Sequence, residues 1–370
     1  MRIIFFCHSI ISDWNNGNAH FLRGVVSELL RLGHEPIVYE PYHGWSIENL
    51  RSDAGDSAIA AFHAAFPDIR VVRYDAGTLD LEAAIDGASL VLVHEWNEPT
   101  LIESLGAIRS RSRAFILLFH DTHHRSVSDS HWPPRLDFYD GALVFGESLR
   151  QIYLDADWAA NAWTWHEAAD TTLFRPIRSS IKAGDLAWIG NWGDEERTAE
   201  LTEYLLTPVL RTRIRAAAYG VRYPAAALAA LSNANIHYGG WVANYLVPSV
   251  FSRFRMTVHI PRSPYAEVLR GIPTIRVFEA LACGIPLISA PWDDCERLFS
   301  AGEDFLVARD AHEMERLIRT LLNEPHTARA LAEKGLKTLR SRHTCAHRAL
   351  ELLAICDSLR PTPSREATLS

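Results

Sequence analysis

The stretch "FHDTHHRS" (119–126) sets His120, Asp121, His123 and His124 beside one another at the end of the apolar run "AFILLF". Imidazoles and a carboxylate gathered this closely can bind a metal ion, relay a proton or hydrogen-bond the hydroxyls of a ligand. Their spacing reproduces no zinc signature, so no metal is expected and the other two chemistries lead. Two more apolar runs end alike, "RIIFFC" at His8 and "SLVLV" at His94 and Glu95. In a parallel sheet these ends would share one crevice, because ligands lie beyond the carboxyl ends of the strands. His120 and Asp121 are then the candidate catalytic pair. His94, Glu95, His123 and His124 are candidates for orienting a hydroxylated ligand.

A second set of residues suits an anion. The loop "DWNNGNAH" (13–20) opens a helix with Asn16, Gly17 and Asn18. Glycine lets the backbone approach a ligand, and the helix N-terminus offers unpaired N–H groups. The loop lacks the three spaced glycines of a dinucleotide site, which argues against a nicotinamide enzyme. In the second half, "PTIRVFEALACGIPLISA" reads as a helix with Pro273 in its first turn, a buried stripe through Ile275, Phe278 and Leu281, and Gly284 as its stop. Its N-terminal end near Thr274 can hold a diphosphate. Glu279 then lies about 8 to 9 Å further along the axis, an offset that suits hydrogen bonds from ribose hydroxyls. Arg197, Arg262 and Arg276 follow strand ends or start helices, where a guanidinium can clamp phosphate.

Positioning these groups requires strands that alternate with helices. "RIIFFC", the amphipathic "HFLRGVVSELLRLG" and "EPIVYEP" form one βαβ unit, with Phe21, Leu22, Val25, Val26 and Leu29 on the apolar face and Gly33 ending the helix. Further buried-type strands follow at "IRVVRY", "SLVLVHEW", "AFILLFH" and "GALVFG". After "TTLFRP" (171–176) the pattern restarts with "LAWIGNWGDEER" and continues through "IHYGG", "RMTVHIP" and "IPLISA". The expected fold is therefore α/β, with two tandem doubly wound (Rossmann-like) parallel-sheet domains at 1–170 and 171–345. Residues 359–370, rich in Pro, Ser and Thr, are expected to be a disordered tail.

Up to about residue 357 this layout resembles the group 1 glycosyltransferases of the GT-B fold, which are retaining and use nucleotide sugars. The resemblance is carried by "NGNAHFLRGVVSELLRLGHEPIVYE", "AWTWHEAADTTLFRP" and, most specifically, "VFEALACGIPLIS". It implies a C-terminal domain that grips the nucleotide diphosphate, an N-terminal domain that presents the acceptor, a sugar in the cleft between them, and no metal. By this likeness Glu279 binds ribose, Gly190, Asn191 and Arg197 belong to the phosphate loop, and His120 is the cleft histidine near the sugar. A last helix, 346–358, is expected to cross back onto the N-terminal domain. The chain departs from the family pattern at Gly271, where a second glutamate is usual, at Asn191 after Gly190, and at His166 and Glu167 in the interdomain segment.

The expected activity is transfer of a sugar from a UDP- or GDP-sugar donor to an acceptor hydroxyl, without a prosthetic group. Were configuration inverted, Asp121, His120 or Glu95 would be the base. An epimerase of the same fold, an inactive sugar-nucleotide-binding protein and a histidine-rich metallohydrolase are the rival readings. A net charge of -8 over 370 residues gives no footprint for nucleic acid and at most peripheral membrane contact. The five scattered cysteines look like reduced, mostly buried thiols. No apolar stretch approaches about 18 residues, and the N-terminus is too short in apolar residues for a signal peptide, so a cytoplasmic location is expected. Among eleven tryptophans, Trp14 and Trp96 are the candidates for the acceptor side.

Overall fold

A computed structural model describes residues 1–128, 132, 135–193 and 197–360; most of the tail expected to be disordered lies outside them. The first sheet holds β1 (Arg2–Phe6), β2 (Glu35–Pro41), β3 (Val71–Tyr74), β4 (Leu90–His94), β5 (Ile116–Asp121), β6 (Gly141–Val144) and β7 (Ala162–Thr164). Its strands are all parallel, in the order β3-β2-β1-β4-β5-β6-β7. The second sheet holds β8 (Leu186–Ile189), β9 (Ala216–Tyr219), β10 (Ile236–Tyr238), β11 (Met256–His259), β12 (Leu287–Ser289) and β13 (Leu306–Val307). Its order is β10-β9-β8-β11-β12-β13, again parallel.

The apolar runs explain this arrangement. Every residue of β4, β5, β8 and β11 is buried, as strands covered by helices on both faces must be. Strand order reverses once in each sheet, between β1 and β4 and between β8 and β11, and a crevice opens where successive connections leave in opposite directions. The loops after these four strands are the ones that carry most of the polar residues singled out above.

The two halves share apolar packing. Phe21, Trp165, Phe174, Phe278 and Leu352 belong to one continuous core, while separate clusters fill the outer face of each sheet. The last helix, Cys345–Leu359, packs on the first, Asn18–Arg31, as expected, and is one residue longer at each end than the sequence suggested. Its Arg348 carbonyl accepts the Trp165 indole N–H at 2.9 Å, and its Arg348 Nε donates to the His166 carbonyl at 2.8 Å. The segment between the sheets is thus tied to the returning helix. All five cysteines are free; Cys295 is exposed and the others are buried. Among the described residues no helix is long and apolar enough to cross a membrane.

Candidate active site between the two sheets

A cavity of about 1070 Å³ occupies the space between the two strand-order reversals and is lined from both sides. From the first sheet come the loop after β1, the ends of β3 and β4, and the segment after β5. From the second come the loops after β8, β9 and β11 and the tip of the helix Ile275–Cys283.

On the second-sheet side Gly190, Asn191, Arg197, Arg262, Thr274 and Arg276 all line the cavity. Asn191 organises two of the arginines. Its Oδ1 accepts Arg197 Nη2 at 2.7 Å and Arg262 Nη2 at 3.2 Å, and Arg197 Nη1 is held by the Ile260 carbonyl at 3.0 Å. Two guanidinium groups converging on one neutral oxygen repel each other, and an anion beside them relieves that repulsion. Asn191 also donates its amide N–H to Asn15 Oδ1, across the cleft. Beside that contact, a Cβ on Gly17 would lie 3.0 Å from Ile275 Cγ2. Glycine is what allows the β1 loop to rest on the helix tip. That loop is fixed from behind by buried Arg23, which donates at 2.8 Å to the Ile10 and Ile11 carbonyls and to Asp13 Oδ2. Asp13 in turn accepts the Trp241 indole N–H at 3.1 Å and the Asn244 N–H at 3.0 Å from the opposite half.

The helix begins at Ile275 with Thr274 as its N-cap and ends at Gly284 in the left-handed conformation, so Pro273 precedes the helix instead of sitting in its first turn. Glu279 is fully buried and does not line the cavity. Its carboxylate is paired with Arg276 and lies 2.8 Å from His20 Nδ1. His20 Nε2 accepts the Asp170 N–H at 2.9 Å, so its proton sits on Nδ1 and is donated to Glu279. Burial works to raise the Glu279 pKa, but the Arg276 charge and the His20 hydrogen bond outweigh it and hold the carboxyl below its ordinary value. Glu167, itself 7% exposed, reaches the cavity in its place. It lines the cavity, faces the backbone N–H of Ile275, and has its pKa pushed up to about 8 by burial and then by the charge of Glu279. Glu167 was legible only as a departure from the family pattern.

The histidines that end the strands do converge. Ring centroids are 5.4 Å apart for His8 and His94 and 5.3 Å apart for His94 and His120. They do not all face the cavity. β5 continues through Asp121, so His120 and Asp121 are sheet residues with no exposed surface, and neither lines the cavity. His120 packs against Phe21 and Trp165, and burial drives its pKa well below the ordinary value. Asp121 accepts the Tyr153 hydroxyl at 2.7 Å; burial and then the charge of Glu95 push its pKa up to about 8. Glu95 is buried too, bonded by the Thr122 hydroxyl at 3.0 Å. The chain turns into the cavity only after β5, where Thr122, His123 and His124 join His8, His94, Asn16 and Asn18 on its wall. Trp96 lines it and is 43% exposed. Trp14 is instead buried, with its ring against Trp45, and Trp45 lines the wall in its place. Among the described residues no group of three or more His, Cys, Asp or Glu could hold a metal ion.

Gly271 has φ +87°, and a Cβ there would lie 2.7 Å from Cys295 Sγ and 3.1 Å from Glu296 Cγ. A glutamate cannot enter this backbone without displacing Cys295 and crowding Glu296. That carboxylate is already committed, accepting the Glu147 N–H at 2.9 Å and bonding His166 Nε2 at 2.7 Å.

Residues 197–354 match the family described as "Glycosyl transferase-like". No curated protein sequence matches the chain. Among solved structures, Anabaena HepE in complex with UDP and glucose is similar at 12% identity, covering 97% of this chain and 100% of that one, with a TM-score of 0.69. An alpha-glucosyltransferase in complex with UDP and a 13-mer DNA containing an HMU base is similar at 13% identity, covering 96% and 99%, with a TM-score of 0.70. Sucrose-phosphate synthase from Thermosynechococcus elongatus is similar at 14% identity, covering 97% and 99%, with a TM-score of 0.64. At these identities the likeness establishes the fold, two parallel-sheet halves over an intervening cleft.

Proposed function

We propose that the chain is a group 1 glycosyltransferase of the GT-B fold and that it moves a sugar from a nucleoside diphosphate to an acceptor hydroxyl, with retention and without a metal; the match of residues 197–354 to a glycosyl transferase-like family and the shared fold support this reading. The observation that carries the reading is the distribution of polar groups around one cavity. Asn191, Arg197 and Arg262 stand on one side of it beside the helix tip Thr274–Arg276, and histidines and tryptophans stand opposite.

As the bond between sugar and phosphate breaks, negative charge grows on the departing diphosphate. Guanidinium groups and backbone N–H groups already aimed at that position stabilise it with little reorganisation. In this reading residues 171–345 bind the donor and 1–170 present the acceptor. Glu279 receives the ribose hydroxyls once Arg276 turns from it to the phosphates, an exchange of one anionic partner for another. The three groups considered as a base for inversion, His120, Asp121 and Glu95, are all buried outside the cavity lining, which supports retention. A cytoplasmic location remains part of the proposal, to be checked by fractionation.

The test is a thermal-shift series with UDP, GDP and ADP in the presence of a chelator. A bound ligand at 100 times its dissociation constant stabilises by about 2.7 kcal/mol. One diphosphate should give that shift, and Glu279→Ala should abolish most of it. NMR of the product formed from an α-linked donor should show an α-glycoside. No shift with any nucleotide would refute donor binding, a β-glycoside would refute retention, and donor conversion without any acceptor would favour an epimerase.

A further inference from the structure

The cavity is divided by charge. Its four arginines, Arg197, Arg222, Arg262 and Arg276, all come from the second half of the chain. Among the described residues, the wall supplied by 1–170 holds Asp13, Glu98 and Glu167 and no arginine or lysine. Of its histidines, His8 is pushed down to about 3 by burial and the charge of His94, and His123 is held well below its ordinary value by burial and then His124. Arg125, which follows β5, does not line the cavity; its guanidinium lies 4.8 Å from the Trp96 ring and 4.6 Å from the Trp132 ring.

The same wall is partly apolar: Tyr74 at the end of β3, Leu79, Leu81 and Leu101 line it, with Thr100 and Ser104 offering hydroxyls. Trp96 and Trp45, 43% and 53% exposed, line the same cavity, with the Arg222 guanidinium 5.4 Å from the Trp45 ring. Aromatic faces and leucines bury a flat apolar surface, and hydroxyls and neutral imidazoles orient hydroxyl groups. A phosphate or carboxylate here would find no arginine or lysine on the same wall to pair with it and would meet the exposed Glu98 carboxylate.

We propose that the acceptor is an uncharged, hydroxylated ring compound whose apolar face lies on the wall built by residues 1–170. The inference rests on the transferase reading and goes beyond it, because donor binding by the opposite wall says nothing about acceptor charge. Two sources share this chemistry, a neutral sugar ring and an aryl alcohol.

The experiment uses the intact chain. UDP and GDP are first titrated calorimetrically, which tests the transferase reading alone. Matched compounds are then titrated by tryptophan fluorescence and assayed as acceptors with the corresponding glucose donor: phenyl glucoside against phenyl glucuronide, methyl glucoside for the sugar alone, and 4-hydroxyphenylethanol for the aryl alcohol alone. The expected result is binding of a neutral member at least about tenfold tighter than its anionic counterpart. Leu101→Arg should narrow that gap by admitting the glucuronide. Whichever of methyl glucoside and 4-hydroxyphenylethanol retains binding identifies the source. Equal or tighter binding of the glucuronide overturns the inference, as does failure of every neutral compound while a nucleotide binds; the transferase reading survives both results. Failure of both nucleotides removes that reading, and the inference falls with it.

Discussion

Glu167 gives donor binding a pH signature. Its carboxyl is 7% exposed, faces the Ile275 N–H at the helix tip and holds its proton to about 8. Glu279 and Glu95 raise that value and Arg276 opposes them; Tyr265 and Cys345 are the other titratable groups that feel its charge. A diphosphate arriving at the same tip adds negative charge, so it binds best when Glu167 is neutral. With a pKa of about 8 the carboxyl is roughly nine-tenths protonated at pH 7 and roughly one-tenth at pH 9. Affinity for a nucleoside diphosphate sugar should therefore fall about tenfold between those values. Glu167→Gln keeps an acceptor for the Ile275 N–H and cannot ionise, so its affinity should stay level over the range. Stability carries the same sign. A carboxyl raised above its unfolded value contributes stability in acid that is lost as pH rises through the folded pKa. The wild type should lose up to about 1.4 kcal/mol per pH unit between the ordinary glutamate range and pH 8, a slope the variant lacks. Calorimetric titration of the donor at both pH values, with melting curves of both proteins, measures this directly. Equal slopes in the two proteins would refute the reasoning.

Other consequences follow from the contacts. Asn191→Ala removes the oxygen shared by Arg197 and Arg262 and should weaken diphosphate binding by about 1.5 to 3 kcal/mol, roughly ten- to a hundredfold, in calorimetric titration. Arg23→Met leaves Asp13 buried without its ion-pair partner and should destabilise the fold by about 3 to 5 kcal/mol in urea denaturation. Gly271→Glu, which restores the family residue, should lower stability by roughly 1 to 3 kcal/mol, because φ is +87° and Cys295 and Glu296 fill the space. An unchanged melting curve for that variant would show that the loop rearranges freely.

Much of this architecture was readable from apolar periodicity. The unbroken runs at β4 and β5 left no polar face, so only a doubly covered parallel sheet suited them, and Gly284 marked the helix end that the structure shows. The arginines and Asn191 were legible because loops beyond strand ends must face the crevice. His120 and Asp121 were placed one turn too early. Whether β5 stops at Phe119 or continues through Asp121 decides which side chains stay in the sheet, and that register comes from pairing with β4 and β6. Glu279 was drawn toward the cavity by helix geometry and by the family likeness, whereas its partner His20 is remote in sequence and belongs to the opposite half. The Glu296 contacts with Glu147 and His166 were likewise invisible, since their sequence separations carry no local signal.

A crystal structure with a nucleoside diphosphate bound would locate the donor site. The diphosphate should lie between the Ile275 N-terminal tip and the Arg197–Arg262 pair, with Arg276 turned from Glu279 toward it. A diphosphate seated instead against His8, His94 and His123 would contradict the assignment of the two walls.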